Sequence, residues 1–182
     1  LSSNISYSKS FTGTPFSFGA SMRHSQSVQT GEVQLNLPTM NLSMNRQKPF
    51  AKMKFEPLKT LNIGYTFDLQ NSITNKVTQE FGVDPALVEN TDSPDLVPFT
   101  PSNFGYLLQN AKTGARNRIP VSSNFRLFKY FTGTASLDLT EIWYLKRINY
   151  YYNPAEARVD KIMEDGFNRI TSYSTAFSMN TN

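Results

Sequence analysis

Strict alternation of apolar and polar residues is the feature of this sequence that most limits its fold. From Leu61 to Leu69 every odd-numbered residue is apolar, whereas every even-numbered residue is polar or glycine. Neighbouring side chains on a β-strand point to opposite faces of the sheet, so this segment predicts a strand with one apolar and one polar face. Similar alternation recurs at residues 5–8, 16–23, 119–127 and 135–140, and more weakly at 170–179.

The segment from Val33 to Met44 changes phase in its middle. Its apolar residues occupy odd positions up to Leu37 and even positions from Met40 onward. A β-bulge, which adds one residue to a strand, would keep all of them on one face, and we predict it at Pro38-Thr39. With this segment, the chain is predicted to be all-β, with about seven antiparallel strands joined by hairpins.

Composition excludes several other classes of protein. The longest unbroken apolar run covers only residues 142–145, far short of the ~18 residues that a transmembrane helix needs. The absence of cysteine rules out disulfides and thiolate metal sites. Although the net charge is +4, the basic residues are spread along the whole chain, so we expect no nucleic acid among the partners.

The connections between the predicted strands differ in length. Short turns contain Gly13, Gly31 and Gly133, whereas 78–112 and 153–165 are long and fall on the same edge of a hairpin array. Short turns on one rim and long loops on the other are typical of outer-membrane β-barrels, whose long loops are extracellular. We therefore predict that residues 1–182 are part of one transmembrane β-barrel domain with long extracellular loops 78–112 and 153–165.

An antiparallel sandwich would also alternate, so a soluble β-sandwich adhesin stays open as an alternative, as does a porin or another outer-membrane transporter. The predicted polar faces carry Ser, Thr, Asn and Gly with few Lys or Glu, which favours a hydrated barrel lumen over a water-exposed sheet surface. Because bacterial single-chain barrels have an even number of strands, from 8 upward, seven strands predict a segment of a larger barrel or one chain of a split barrel.

Short runs of residues in nearly every predicted strand resemble one outer-membrane family. They include Ser2-Ser3-Asn4-Ile5-Ser6-Tyr7-Ser8-Lys9, Met44-Asn45-Arg46-Gln47-Lys48-Pro49-Phe50 and Gly166-Phe167-Asn168-Arg169. In these runs the chain resembles the lipopolysaccharide-assembly proteins of the LptD family in their Bacteroidetes form. The resemblance implies a large barrel in the cell outer membrane that takes lipopolysaccharide from periplasmic bridge components. Together with an LptE-like plug lipoprotein it would insert lipopolysaccharide into the outer leaflet, and this chain would be wall rather than gate of that translocon.

Four charged residues are predicted to face the lumen, because they share the polar face of their strands. They are Arg23, Asp68, Arg126 and Asp138, and we interpret them as a charge pattern in a water-filled interior rather than as acid–base catalysts. The single histidine, His24, falls by parity on the apolar face near a strand end. We expect neither an enzyme nor a metal site or cofactor. Besides the partners named above, we expect the apolar face to contact membrane lipid.

Three charged residues near the outer end of the sixth strand raise open questions. Lys146 and Arg147 either meet lipopolysaccharide phosphates or extend to the membrane interface in the ordinary way. Glu141 shares its parity with Leu139 and Trp143, although a carboxylate is costly on a lipid-facing surface. It is therefore expected either near the outer interface or turned inward by a local bulge.

Two connections have unusual charge. The loop 78–112 contains four prolines and five acidic residues, which indicates a solvated loop or one that shares divalent ions with the lipopolysaccharide leaflet. The segment 46–59 carries five basic residues against one acid, so it is either a solvated turn or a contact with a partner or lipid headgroups.

Overall fold

Seven strands form one antiparallel sheet in which each strand pairs with its neighbours in sequence. The computed structural model describes residues 1–76, 96–109, 111–127, 130–155 and 157–181. The elements in these residues are β1 (Ser2–Ser10), β2 (Phe16–Gln26), β3 (Val33–Gln47), α1 (Glu56–Lys59), β4 (Asn62–Thr74), α2 (Phe104–Gln109), β5 (Lys112–Leu127), β6 (Phe131–Asn153) and β7 (Arg158–Thr181).

The sheet confirms the predicted all-β antiparallel fold. Strand order follows sequence order from β1 to β7, which leaves β1 and β7 at the two edges in the part of the chain that the structure describes. Such an open sheet fits a segment of a larger barrel. No helix among the described residues combines the length and apolar character needed to cross a membrane.

The predicted bulge in β3 is confirmed. Ser21 pairs with Thr39 and Arg23 pairs with Asn36, so β3 contributes one residue more than β2 between these pairs. The side-chain amide of Asn71 on β4 donates a hydrogen bond of 2.9 Å to the carbonyl of Leu37 inside the bulge. The extra residue restores one continuous apolar face along β3 because it shifts the side-chain phase by one position.

The predicted long loop 153–165 is wrong. β6 continues to Asn153 and β7 begins at Arg158, so only a tight turn separates them. In the structure the backbone of this segment pairs with β6 from Arg158 onward, and Glu164 of the segment forms an ion pair with Arg147.

The connection between β4 and β5 is long, as predicted for 78–112. Residues 78–95 of that loop, with all five of its acidic residues, lie outside the described residues, so the suggestion of bound divalent ions stays a prediction. The described remainder, 96–109 and 111, includes α2 and folds back over the sheet. There Val97 and Leu107 bury Ile73 of β4, with Ala111 beside them.

Candidate functional site: the polar face and its charged residues

The two faces of the sheet have opposite chemistry. Cross-strand partners share a face, so Leu69 lies beside Ala115 and Trp143, whereas Asp68 lies beside Arg116. Many side chains of the apolar face are exposed, and on the edge strand β7 Tyr173 retains 76% of its accessible surface. A continuous exposed apolar face of this extent indicates contact with a membrane or with another apolar surface.

The polar face is lined mainly by small hydroxyl and amide side chains. The hydroxyls of Ser17 and Ser43 lie 2.7 Å apart across β2 and β3, and Asn41 donates a 2.6 Å hydrogen bond to the carboxylate of Asp68. A depression of about 820 Å³ on this face is lined almost entirely by such side chains, whereas a second one of about 720 Å³ is also lined by Ile142, Tyr144 and Ile148. Hydroxyl and amide side chains satisfy their hydrogen bonds with each other and with water, which suits a hydrated surface.

The structure places the four predicted charged residues on this one face but does not gather them into a cluster. Arg23 lines the first depression, and Asp68 lines the second. Asp138 accepts a 2.7 Å hydrogen bond from the guanidinium of Arg118. Arg126 lies opposite Thr132, at the rim where β5 turns into β6.

Three further arginines on the polar face were missed by the sequence analysis. Arg116 and Arg118 are even-numbered residues of β5, so counting back by twos from Arg126 would have found them. Arg46 reaches this face, where its side chain lies beside Gly64, because a second register shift between Met44 and Gln47 changes the phase of β3. No simple alternation in the sequence predicts that shift.

Lys146 and Arg147 lie on opposite faces of β6 and do not form one joint site. The ammonium of Lys146 donates a hydrogen bond to the backbone carbonyl of Gln109 and lies 3.8 Å from the carboxylate of Asp165. The guanidinium of Arg147 lies 2.7 Å from the carboxylate of Glu164 on the other face. Each charge therefore already has a partner within the sheet.

The carboxylate of Glu164 in the β6–β7 hairpin accepts hydrogen bonds from Arg147 and Tyr151. Its hydrogen bond with Arg147 is the main cause that lowers the pKa of Glu164, and bonds from Asn149 and Tyr151 act in the same direction. The distance from the Tyr151 hydroxyl is 3.1 Å. The carboxylate is thus held in its charged form, which strengthens the pairing of β6 with β7 at Arg147.

Glu141 stays on the apolar face, so a bulge does not turn it inward. The register of β6 and β7 is regular at this residue, and the shift occurs further along, between Tyr144 and Lys146. The guanidinium of Arg169 lies 3.4 Å from the Glu141 carboxylate. Next to this pair, Trp143 contacts aromatic rings of β4 and β7, with centroid distances of 6.4 and 6.0 Å. The ion pair with Arg169 therefore reduces the cost of holding the Glu141 carboxylate on the apolar face.

His24 also lies on the apolar face, where it pairs with Ser3 of β1 and Leu35 of β3. Among the described residues there is no group of three or more His, Asp or Glu side chains that could hold a metal ion.

A long-stranded antiparallel sheet with one exposed apolar face and one hydrated face is characteristic of outer-membrane β-barrel proteins. A family model described as "LptD protein" matches residues 1–182. The chain therefore belongs to the LptD family, whose members are outer-membrane proteins of lipopolysaccharide transport. Searches of curated proteins and of solved structures returned no match.

Proposed function

We propose that this chain forms part of the wall of the lipopolysaccharide translocon in the outer membrane, with its apolar face toward lipid and its polar face toward a hydrated interior. The observation that carries the proposal is that polar and apolar side chains lie on opposite faces of the same sheet. The ion pair of Arg118 and Asp138 lies on one face, while exposed residues such as Leu139 and Tyr173 lie on the other. Hydrocarbon and water can therefore both contact the same strands without loss of backbone hydrogen bonds.

The polar face suits passage of a sugar head group rather than its retention. Its carboxylates are already engaged, Asp138 by Arg118 and Asp68 by Asn41, so a charged group that passes exchanges one hydrogen bond for another. A conduit needs sites that bind favourably enough for entry and weakly enough for release. The acyl chains of the same molecule remain with hydrocarbon and leave sideways through a seam between strands.

The orientation follows from the connections. The turns from β1 to β2 and from β5 to β6 are short and lie on one rim, which we assign to the periplasm. The long connection from β4 to β5 and the extended β6–β7 hairpin lie on the opposite rim, which we assign to the cell exterior. On this rim we assign Arg147 to lipopolysaccharide phosphates, because it lies on the outer, apolar face; a phosphate would share its guanidinium with Glu164.

Lipopolysaccharide is the substrate in this proposal, and an LptE-like plug lipoprotein and periplasmic bridge components are the protein partners. The polar face supports such a plug because it offers a group of hydrogen-bonding side chains, as at Ser2, Asn4 and Asn36 in the first depression.

Photo-cross-linking in living cells tests the function. A cross-linking amino acid replaces Thr134 on the polar face or its neighbour Ala135 on the apolar face, both in the half of β6 near the periplasmic rim. We expect Thr134 to cross-link to lipopolysaccharide, with a signal that disappears when lipopolysaccharide synthesis is stopped. Ala135 should cross-link to phospholipid. Lipopolysaccharide adducts at Ala135 and none at Thr134 would refute the assignment of the two faces.

A further inference from the structure

The connection from β3 to β4 folds onto the apolar face of the sheet instead of extending away from its rim. Ser123 of β5 donates a 2.6 Å hydrogen bond to the carbonyl of Pro57, and its hydroxyl lies 2.9 Å from that of Thr60. Ser123 is an odd-numbered residue on the same face as Ile119, and only 4% of it is exposed. The helix α1 and its flanking residues therefore lie on the outer side of the proposed wall.

Residues 48–60, which we call the basic connection, present apolar and cationic side chains together. Phe55 is 62% exposed, and three further apolar side chains of the segment are exposed with it: Phe50, Met53 and Leu58. Between them stand Lys48, Lys52 and Lys54, for which no ion pair occurs among the described residues. Exposed aromatic side chains interleaved with lysines are typical of segments that lie in a membrane interface.

The position of the basic connection along the membrane normal agrees with a location at the membrane interface. At the other end of β4 the apolar face is covered by the segment with α2, which buries Ile73 completely. The strand between Leu61 and Ile73 spans about 30 Å along the membrane normal, at ~3.3 Å per residue and a tilt of ~40°. The apolar band of an outer-membrane barrel is about 25 Å tall, so the two covers lie at its two edges.

We propose that the basic connection is an interfacial anchor that binds the anionic phospholipid of the periplasmic leaflet. Phe50 and Phe55 enter the boundary between acyl chains and headgroups, and the three lysines meet the headgroup phosphates. The lipid is the occupant because the exposed residues continue the apolar face, and because the free charges of the segment are positive. The inference rests on the proposed function, since it requires that the apolar face contacts lipid.

Fluorescence quenching in the full-length protein, reconstituted in liposomes, tests the anchor. A fluorescent label is attached to a single cysteine at Phe55, and at Leu139 as a reference on the apolar face. We expect lipids brominated near the headgroup to quench the label at 55, whereas iodide in the buffer quenches it weakly. Strong iodide quenching without lipid quenching overturns the anchor, and so does protection from both quenchers, which would indicate a covering protein.

The reference separates the two proposals. If lipid quenches the label at Leu139 but not at Phe55, only the anchor fails. If lipid quenches neither label, the assignment of the apolar face fails with it.

Liposomes with and without anionic lipid test whether Lys48, Lys52 and Lys54 bind the headgroup phosphates. The variant K48Q/K52Q/K54Q is compared with K48R/K52R/K54R, which keeps the charge, in phosphatidylcholine liposomes with and without phosphatidylglycerol. Each lysine near an anionic surface strengthens membrane binding about fivefold. Phosphatidylglycerol should therefore increase lipid quenching at Phe55 in the wild type and the arginine variant but not in the glutamine variant. Equal quenching in all three proteins would overturn the recognition of anionic headgroups.

Discussion

The ion pair of Glu141 and Arg169 on the apolar face gives a sharp test of where lipid contacts the sheet. The two charged groups lie 3.4 Å apart, beside the aromatic contact of Trp143 with Phe167. Replacing Arg169 with leucine leaves the Glu141 carboxylate without its partner. If this face contacts hydrocarbon, the carboxylate is left without a partner in an apolar surrounding or must be drawn toward water, and either response destabilises the folded sheet.

The loss of stability in Arg169→Leu can be estimated from the exposure of the unpaired Glu141 carboxylate. An unpaired Arg or Lys on the lipid face of a barrel costs about 2–4 kcal/mol at the midplane, and an acid costs less. The side chain of Glu141 is 29% exposed, so neighbouring residues shield only part of it from contact with lipid. We therefore expect Arg169→Leu to lower the free energy of unfolding by about 1–2 kcal/mol.

Urea unfolding of the full-length protein in lipid vesicles measures this change. With a slope of about 2 kcal/mol per molar urea, the midpoint of Arg169→Leu should fall by about 0.5–1 M. The double variant Glu141→Leu with Arg169→Leu is the control, and its midpoint should return close to that of the wild type because both charges are gone. If the single and double variants unfold at the same urea concentration, Glu141 is not in contact with lipid and the reasoning is refuted.

Two further predictions concern other parts of the sheet. The pKa of Glu164 is lowered by Arg147, so the stability that this carboxylate contributes is present above its ordinary pKa of about 4.3 and is lost as the pH falls through the lowered value. Amide hydrogen exchange around the pair of Arg147 and Glu164 should be slower in the wild type than in Glu164→Gln at pH 7, and the difference should shrink as the pH is lowered below about 4.3; a difference that does not change with pH would contradict the prediction. At Gly133 a Cβ atom would lie 2.6 Å from the ring of Phe125, so Gly133→Ala should cost about 1–3 kcal/mol in urea unfolding. Gly114→Ala is the matched control, because its nearest contact would be an ordinary 3.6 Å, and equal midpoints for the two variants would show that the ring moves aside.

Much of the sheet could be predicted from sequence because alternation is a local property of a strand. Side chains alternate with a period of two wherever one face is apolar, and the change of phase near Pro38 can have only one consequence if that face is continuous. The position of the bulge and the face of Asp68 and Asp138 follow from this rule. The family was also recognisable from short runs of residues along the chain.

The features that were missed depend on contacts between distant residues. The segment after Arg158 belongs to β7 because it pairs with β6 along its backbone, a contact between strands that its own sequence does not reveal. The contact between Pro57 and Ser123 joins residues far apart in the chain, so no local pattern indicates that the basic connection folds back. Arg116 and Arg118 were overlooked because the alternation in β5 was followed only from Ile119 onward, so the residues before it were not assigned to a face.

The central claim is that lipid contacts one face of this sheet and water contacts the other. Its most direct test places single labelled cysteines at Leu139 and Thr140 of β6 and at Met22 and Ser21 of β2, in the full-length protein within liposomes. These pairs are adjacent on their strands and point to opposite faces. The account predicts that brominated lipid quenches the labels at Leu139 and Met22, and that iodide quenches those at Thr140 and Ser21. Equal quenching within each pair, or the reverse pattern, would contradict it.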